Sequence, residues 1–225
     1  MPETNRHLEL RTALYQILKH ELAQRATIGS DQFVYYNPRT PKQKLAPDAF
    51  LKLGAPHETF RVWKTWERGA PDVAVEVVSD SDEGDEAWES KLDRYASAGI
   101  GEVVRFDPDN SERPIRVWDH VGGDLVEREP PQDGAFECGS LRLYWVAVAH
   151  PSFVRMLRLS RDREGRDLLP TPAEAEARER AEAEQARAEA ESARTALAVE
   201  LAELREKLAR QTGDAPARKK KAPSR

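Results

Sequence analysis

Two acidic residues in strand-like runs, with a lysine further along the chain, are the part of the sequence most suited to chemistry. Asp48 follows a proline at the start of one run, and Glu76 lies in the valine-rich run 71–79, where Asp72 also follows a proline. Lys91 then begins a helix-like segment. Carboxylates on adjacent strands with an ammonium group nearby are the groups that a Mg²⁺-dependent phosphodiester hydrolase needs. These residues therefore favour metal-dependent phosphodiester hydrolysis.

The surroundings of Glu76 indicate that its charge has a partner. Side chains alternate along a strand, so Asp72 and Glu76 would share one face. A glutamate among valines is costly unless it is paired or bound to a metal. Lys91 would then orient the attacking water or offset the charge of the phosphate. An ordinary salt bridge from Glu76 to Lys91 or Arg94 explains the same pattern without catalysis. Asp48 and Asp72, each after a proline, are also suited to capping turns.

Apolar periodicity predicts an α/β domain that would position these residues. Leu10, Leu14 and Leu18 have helical spacing, and residues 73–78 are typical of a strand buried on both faces. Two glycines between apolar runs predict a hairpin. The predicted elements are a helix at 7–24, strands at 32–36, 47–51 and 73–78, a helix at 86–98 closed by Gly99, a strand at 102–106, hairpin strands at 115–118 and 124–127, a strand at 141–148 and a short helix at 151–159.

After residue 161 the sequence changes to a stretch rich in Ala, Glu and Arg. Thr171, Pro172 and Glu174 form a capping-box pattern that predicts the start of a long helix. Leucines at 197, 201, 204 and 208 follow the 4-3-4 spacing of a coiled-coil seam, which favours a homodimer or a higher homo-oligomer. The predicted organisation is a domain over 1–160, a linker over 161–171, a charged helix over 172–211 with a coiled coil at 197–208, and a disordered basic tail over 212–225.

Composition and charge exclude several kinds of site and limit how the protein could contact nucleic acid. The formal net charge is −5, and acidic residues outnumber basic ones before residue 161, so any contact with nucleic acid must be local. A single cysteine, Cys138, excludes an intrachain disulfide and a cysteine-based zinc site. The histidines do not have metal-ligand spacing. No apolar run is long enough to span a membrane, and the N-terminus does not have a signal-peptide pattern, which favours the cytoplasm.

The order and spacing of these motifs resemble the Uma2 family, which belongs to the PD-(D/E)XK superfamily of restriction-endonuclease-like proteins. The matching motifs are Pro-Asp, then Pro-Asp-Val-Ala-Val-Glu-Val-Val-Ser, then Lys-Leu-x-x-Tyr followed by Gly, and finally Phe-Asp-Pro. The resemblance implies a mixed central sheet flanked by helices. It also implies a Mg²⁺-dependent endonuclease site, with Mn²⁺ as an alternative metal and DNA as the expected substrate.

The resemblance assigns roles to individual residues. By that resemblance, Asp48 and Glu76 are the acids of two adjacent strands and hold the metal, with Asp72 as a lower-ranked third ligand. The lysine that usually lies two residues beyond the second acid is absent, because Val78 is there. The following helix would supply it, which points to Lys91. The expected catalytic residues are therefore Asp48, Glu76 and Lys91.

The segment between Ser79 and Lys91 departs from the family, in which arginines are more common at this place. Its acidic residues are Asp80, Asp82, Glu83, Asp85, Glu86 and Glu89. Such a segment would repel a phosphate backbone or hold a further cation loosely. The alternative to an enzyme is a catalytically silent relative that acts as a binding or scaffold protein and assembles through its coiled coil. The retained acids and lysine favour the enzyme.

Overall fold

The computed structural model describes residues 4–54, 56–79 and 85–213, so residues 80–84 of the acidic segment and nearly all of the predicted basic tail lie outside the described residues. The described residues form four helices: α1 (Asn5–Leu22), α2 (Thr65–Arg68), α3 (Asp85–Ser97) and α4 (Pro172–Gly213). They also form twelve strands: β1 (Ala26–Gly29), β2 (Val34–Tyr35), β3 (Lys44–Leu45), β4 (Ala49–Leu53), β5 (Trp63–Lys64), β6 (Val73–Val77), β7 (Glu102–Phe106), β8 (Ile115–Val121), β9 (Asp124–Glu127), β10 (Phe136–Cys138), β11 (Leu143–Ala149) and β12 (Arg155–Ser160).

A six-stranded mixed sheet forms the centre of the fold, in the order β1-β4-β6-β7-β8-β9. β6 and β7 are parallel, and the other neighbouring strands are antiparallel. All five residues of β6 are buried, as expected for a valine-rich strand covered on both faces. This arrangement confirms the mixed α/β fold predicted from the sequence.

Two hydrophobic cores cover the two faces of the central sheet. α1 and the three-stranded sheet β10-β11-β12 pack on one face, against the side chains of Val75 and Val77. α3 and a second three-stranded sheet, β3-β2-β5, pack on the other face, against Phe50 and Ala74. The side chains of β6 alternate between the two cores because successive residues of a strand point to opposite faces.

The two helices that flank the sheet begin and end within two residues of their predicted bounds, 7–24 and 86–98. The Thr4 side chain accepts a hydrogen bond from the His7 backbone N–H at 3.2 Å and caps the start of α1. One face of α1 is buried, through Leu10, Leu14, Ile17, Leu18 and Leu22. α3 is followed by Gly99 with φ +72°, a left-handed conformation that glycine adopts at no steric cost after a helix.

The predicted helix at 151–159 is wrong, because this stretch contains β12. This strand pairs antiparallel with β11 over six residue pairs. Met156, Leu157 and Leu159 are buried, and so is Arg158 between them, so the strand is covered on both faces. A short apolar run of this kind has no alternation that distinguishes a strand from a helix.

The segment 161–171, predicted as a linker, returns to the three-stranded sheet β10-β11-β12. Leu168 bridges to Ser160, and the Leu169 backbone N–H donates a hydrogen bond to the Leu159 carbonyl at 2.8 Å. Leu169 is 2% exposed and belongs to the first hydrophobic core. Contacts accordingly divide the chain into residues 1–173 and 174–225.

The second unit consists, within its described residues, of the long helix α4. Its leucines at 197, 201, 204 and 208 are 49–65% exposed, which leaves the predicted seam uncovered in the single chain. Intrahelical ion pairs such as Arg180 with Glu176 join residues four apart on its surface. None of the described helices combines the length and the apolar composition needed to cross a bilayer.

Candidate active site

Strand pairing brings Asp48 and Glu76 to the same end of two neighbouring strands. Ala49 in β4 pairs with Val75 in β6, so Asp48, which directly precedes β4, lies beside Glu76 in the same antiparallel register. The Val77 backbone N–H donates a hydrogen bond to Asp48 Oδ2 at 2.7 Å. Asp48 is 8% exposed and Glu76 is 6% exposed, so both carboxylates are largely removed from water.

Helix α3 supplies two partners for the Glu76 carboxylate. Lys91 Nζ lies 2.9 Å from Glu76 Oε2, and the Tyr95 hydroxyl donates a hydrogen bond to Glu76 Oε1. Lys91 and Tyr95 are four residues apart, so they lie on the same side of the helix. The Lys91 side chain keeps 30% of its surface exposed, which leaves its ammonium accessible from outside the site.

The electrostatic state of Glu76 follows from its burial. The pKa of the Glu76 carboxyl is raised from 4.5 to about 7, and burial is the largest cause. The Asp48 charge also raises this pKa, whereas the nearby Lys91 charge lowers it. Burial also raises the pKa of Tyr95 well above its usual value, and the Glu76 charge adds to this effect. Tyr95 therefore remains a protonated phenol and a hydrogen-bond donor.

Helix α1 contributes two groups that the sequence analysis did not place in the site. His7 Nε2 lies 3.1 Å from Asp48 Oδ2 and 3.0 Å from the Val77 carbonyl oxygen. Arg11 Nε lies 3.9 Å from Asp48 Oδ1, one helical turn beyond His7. Since the Val77 carbonyl oxygen can only accept a hydrogen bond, Nε2 carries a proton in this arrangement. The only sequence signal was that His7 and Arg11 share one edge of an amphipathic helix.

Asp72 does not lie with the other two acids. Its Oδ1 accepts a hydrogen bond from Lys52 Nζ at 2.8 Å, and its Oδ2 accepts one from the Leu53 N–H at 2.6 Å. Asp72 lies four positions before Glu76, and at the rise of an extended strand these two residues are about 13 Å apart. Asp72 therefore holds the far end of the β4–β6 pair, and the structure does not bring it together with Asp48 and Glu76.

The remaining groups fit a hard divalent cation. Asp48 and Glu76 offer carboxylate oxygens, and the Val77 carbonyl offers a third oxygen at the same strand end. Mg²⁺ usually takes one or two carboxylates and completes its shell with water and substrate oxygens. Among the described residues, no three His, Cys, Asp or Glu side chains form a metal-binding group, so a bound ion would depend on backbone, water and substrate ligands.

Comparisons with known proteins give a family match and a structural neighbour. The model of the Uma2 family, described as "Putative restriction endonuclease", matches residues 1–147. A crystal structure described as that of "a putative nuclease belonging to DUF820 from Anabaena variabilis" is similar at 15% sequence identity, with a TM-score of 0.42, and the match covers 68% of this chain and 76% of that chain. No curated protein matches the chain. Because the family model spans more than half of the residues, the chain belongs to the Uma2 family of restriction-endonuclease-like proteins.

Proposed function

We propose that this protein is a Mg²⁺-dependent endonuclease that hydrolyses phosphodiester bonds in DNA, with Mn²⁺ as an alternative metal. The observation that carries the proposal is the pair of buried carboxylates, Asp48 and Glu76, beside the Val77 carbonyl on adjacent strands, with Lys91 in contact with Glu76. Two carboxylates without a metal or cationic partner would be costly in this buried setting. The proposal includes a cytoplasmic location.

Each residue has a role that its contacts support. Asp48, Glu76 and the Val77 carbonyl would hold the metal, which supplies charge stabilisation for the phosphate and lowers the pKa of a bound water. Lys91, partly exposed beside Glu76, would contact the scissile phosphate or orient the water. Tyr95 fixes Glu76, and His7 fixes Asp48 against the Val77 carbonyl. These last two are positioning residues.

Cleavage of supercoiled plasmid tests the proposal. Wild-type protein with Mg²⁺ or Mn²⁺ is expected to convert it to nicked and linear forms, and chelation should stop the reaction. Lys91→Ala is expected to lower the rate by about 100-fold or more, as for loss of a group that acts on the reacting atoms. Lys52→Ala is a matched control, because Lys52 forms a similar ion pair with Asp72 on the same sheet but away from the site.

Two outcomes would count against the enzyme. If the wild type cuts neither plasmid nor single-stranded DNA over a range of metals and salt concentrations, the scaffold alternative is favoured. If Lys91→Ala and Lys52→Ala cut as fast as the wild type, the activity does not come from this site. The exposed leucines of α4 are the observation that supports a scaffold, because they form an apolar seam that one chain does not cover.

We also infer that α4 pairs copies of this chain through residues 197–208. Two nuclease sites in one particle would suit cleavage of both strands of a duplex. Leu201→Asp combined with Leu204→Asp is expected to dissociate the assembly to single chains, measured by light scattering coupled to size exclusion. Val199→Asp with Ala202→Asp adds the same charges on the outer side of the helix and should leave the mass unchanged. An unchanged mass in the leucine variant would exclude this seam.

A further inference from the structure

The segment that precedes and follows Asp48 is basic in an otherwise acidic chain. Residues 33–68 contain seven Lys or Arg against three Asp or Glu, although the whole chain has a net charge of −5. This segment includes the small sheet β3-β2-β5, which packs on the same face of the central sheet as α3. A local basic surface is the form that nucleic-acid contact must take in a protein with this overall charge.

The small sheet has an apolar inner face and a mixed aromatic and basic outer face. Val34, Leu45 and Trp63 are paired across its three strands and are all buried in the second core. The next row across the sheet consists of Lys44, Tyr35 and Lys64, which are partly exposed. Since neighbouring residues along a strand point to opposite faces, this second row lies on the outer face.

Phe33 extends the outer face beyond the end of β2. Its backbone carbonyl accepts a hydrogen bond from the Trp63 N–H at 2.8 Å, which continues the pairing with β5. The rings of Phe33 and Tyr35 have centroids 6.2 Å apart in an edge-to-face arrangement, and Lys44 Nζ lies 3.6 Å from the centroid of the Phe33 ring. Phe33 nevertheless remains 41% exposed. Phe33, Tyr35, Lys44 and Lys64 together are called the platform.

The charges around the platform favour an anionic partner. Lys64 Nζ pairs with Glu67 Oε1 at 2.8 Å, but both side chains are at least 40% exposed, and such a pair contributes little in water. A phosphate oxygen can therefore replace the Glu67 carboxylate without a large cost. Arg39 and Lys42, in the connection between β2 and β3, are exposed and add positive charge at the same edge.

The platform is linked to the candidate active site by a very short segment. β3 ends at Leu45, and Asp48 follows three residues later, a reach of at most about 11 Å for an extended chain. One polymer could therefore contact both the platform and the Asp48–Glu76 pair. This link makes the platform a substrate-binding surface if the proposed nuclease function holds.

We propose that the platform binds single-stranded DNA, with bases stacking on Phe33 and Tyr35 and phosphates contacting Lys44 and Lys64. Stacking on exposed aromatic side chains, combined with flanking basic groups, is the way in which proteins bind single strands without reading sequence. Bases in an intact duplex are already stacked on one another, so the rings would have little to bind there. The substrate presented to the site would then be a single strand, or a duplex that opens locally. This inference deepens the proposed function and rests on it.

Fluorescence anisotropy with a labelled oligothymidylate, in EDTA so that nothing is cut, tests the platform. Lys44→Ala with Lys64→Ala is expected to weaken binding and to reduce the slope of log K against log salt by about 1.4, for two phosphate contacts. Phe33→Ala is expected to weaken binding by about tenfold from the loss of one stacked base. Lys44→Arg with Lys64→Arg should keep most of the affinity, since the charges remain.

Lys19→Ala with Arg25→Ala provides the matched control. Both residues are exposed, and Lys19 Nζ also lies over an aromatic ring, that of Tyr15, at 5.6 Å. This variant should bind oligothymidylate more tightly than Lys44→Ala with Lys64→Ala does. Equal binding by the platform variants and the wild type would overturn the inference, and so would tighter binding to the corresponding duplex. Because the assay contains no metal, these outcomes are separate from any failure to detect cleavage.

Discussion

Replacing Glu76 with glutamine is expected to abolish divalent-metal binding and to reduce metal-dependent cleavage of DNA by at least about 1,000-fold, the scale associated with removing a main electrostatic group of a catalytic site. Glutamine keeps the size of the side chain and can still accept a hydrogen bond from Tyr95. It removes the negative charge that a metal requires and that Lys91 now contacts at 2.9 Å. The fold should therefore persist while the site loses its function.

Titration calorimetry with Mn²⁺, together with the plasmid assay, measures both consequences. Asp72→Asn is the matched control, since it removes a carboxylate just before β6, about 13 Å along the chain from Glu76. It should bind the metal as the wild type does and lose some stability, because Lys52 and the Leu53 N–H lose a charged partner. Metal binding that survives in Glu76→Gln, or that disappears in Asp72→Asn, would contradict the assignment of Asp48 and Glu76.

Metal affinity is also expected to depend steeply on pH. Burial raises the pKa of Glu76 to about 7, so a metal must displace a proton from this carboxyl at lower pH. Below that value each pH unit should weaken binding by about tenfold, which amounts to roughly 25-fold between about pH 7.5 and about pH 5.5. Above the pKa the affinity should level off, because Glu76 is then ionised without metal.

The same pKa has an opposite consequence for the stability of the metal-free protein. The pKa of Glu76 in the folded protein lies above the value of 4.5 expected in the unfolded chain, so the folded state binds the proton more tightly. The associated stabilisation is complete below about pH 4.5 and is lost as the pH rises through about 7, for a total on the order of 3 kcal/mol. Thermal unfolding in EDTA should therefore show a pH-dependent loss of stability that is smaller in Glu76→Gln.

Addition of Mg²⁺ completes this comparison. The metal should raise the melting temperature more at about pH 8 than at about pH 5.5, because it binds the ionised carboxylate. If the stabilisation by Mg²⁺ is equal at the two pH values, Glu76 is not the group that titrates with metal binding. If Glu76→Gln has the same pH profile in EDTA as the wild type, another group accounts for the profile.

The parts of the fold that were predicted correctly are those with a strong local sequence pattern. The valine-rich run became the buried strand β6, the leucine periodicity became α1, and the glycine pair became the turn between β8 and β9. Both turn glycines have positive φ, at +64° and +104°, as a two-residue hairpin turn between twisted strands requires. In each case neighbouring residues contain enough information to specify the local geometry.

The parts that the sequence did not predict depend on distant contacts. β2 lies within the predicted strand at 32–36, but its partners β3 and β5 were not predicted, because strands of two residues are too short to show a periodicity. β12 has apolar residues on both faces, so its partner β11 determines its conformation. His7 reaches Asp48 across 41 positions of sequence, and Asp72 turns out to pair with Lys52 in the neighbouring strand. Strand register and helix docking, which are tertiary properties, decide these cases.

The two acids are fixed from opposite sides of the central sheet. α1 belongs to one hydrophobic core and holds Asp48, whereas α3 belongs to the other core and holds Glu76. Strand pairing places the two acids side by side, and each core then fixes one of them. A partly folded chain with only α3 docked would retain the contact between Glu76 and Lys91 but would not have the His7 contact that holds Asp48. Under the proposed function, the site would thus be complete only when both halves of the interior have formed.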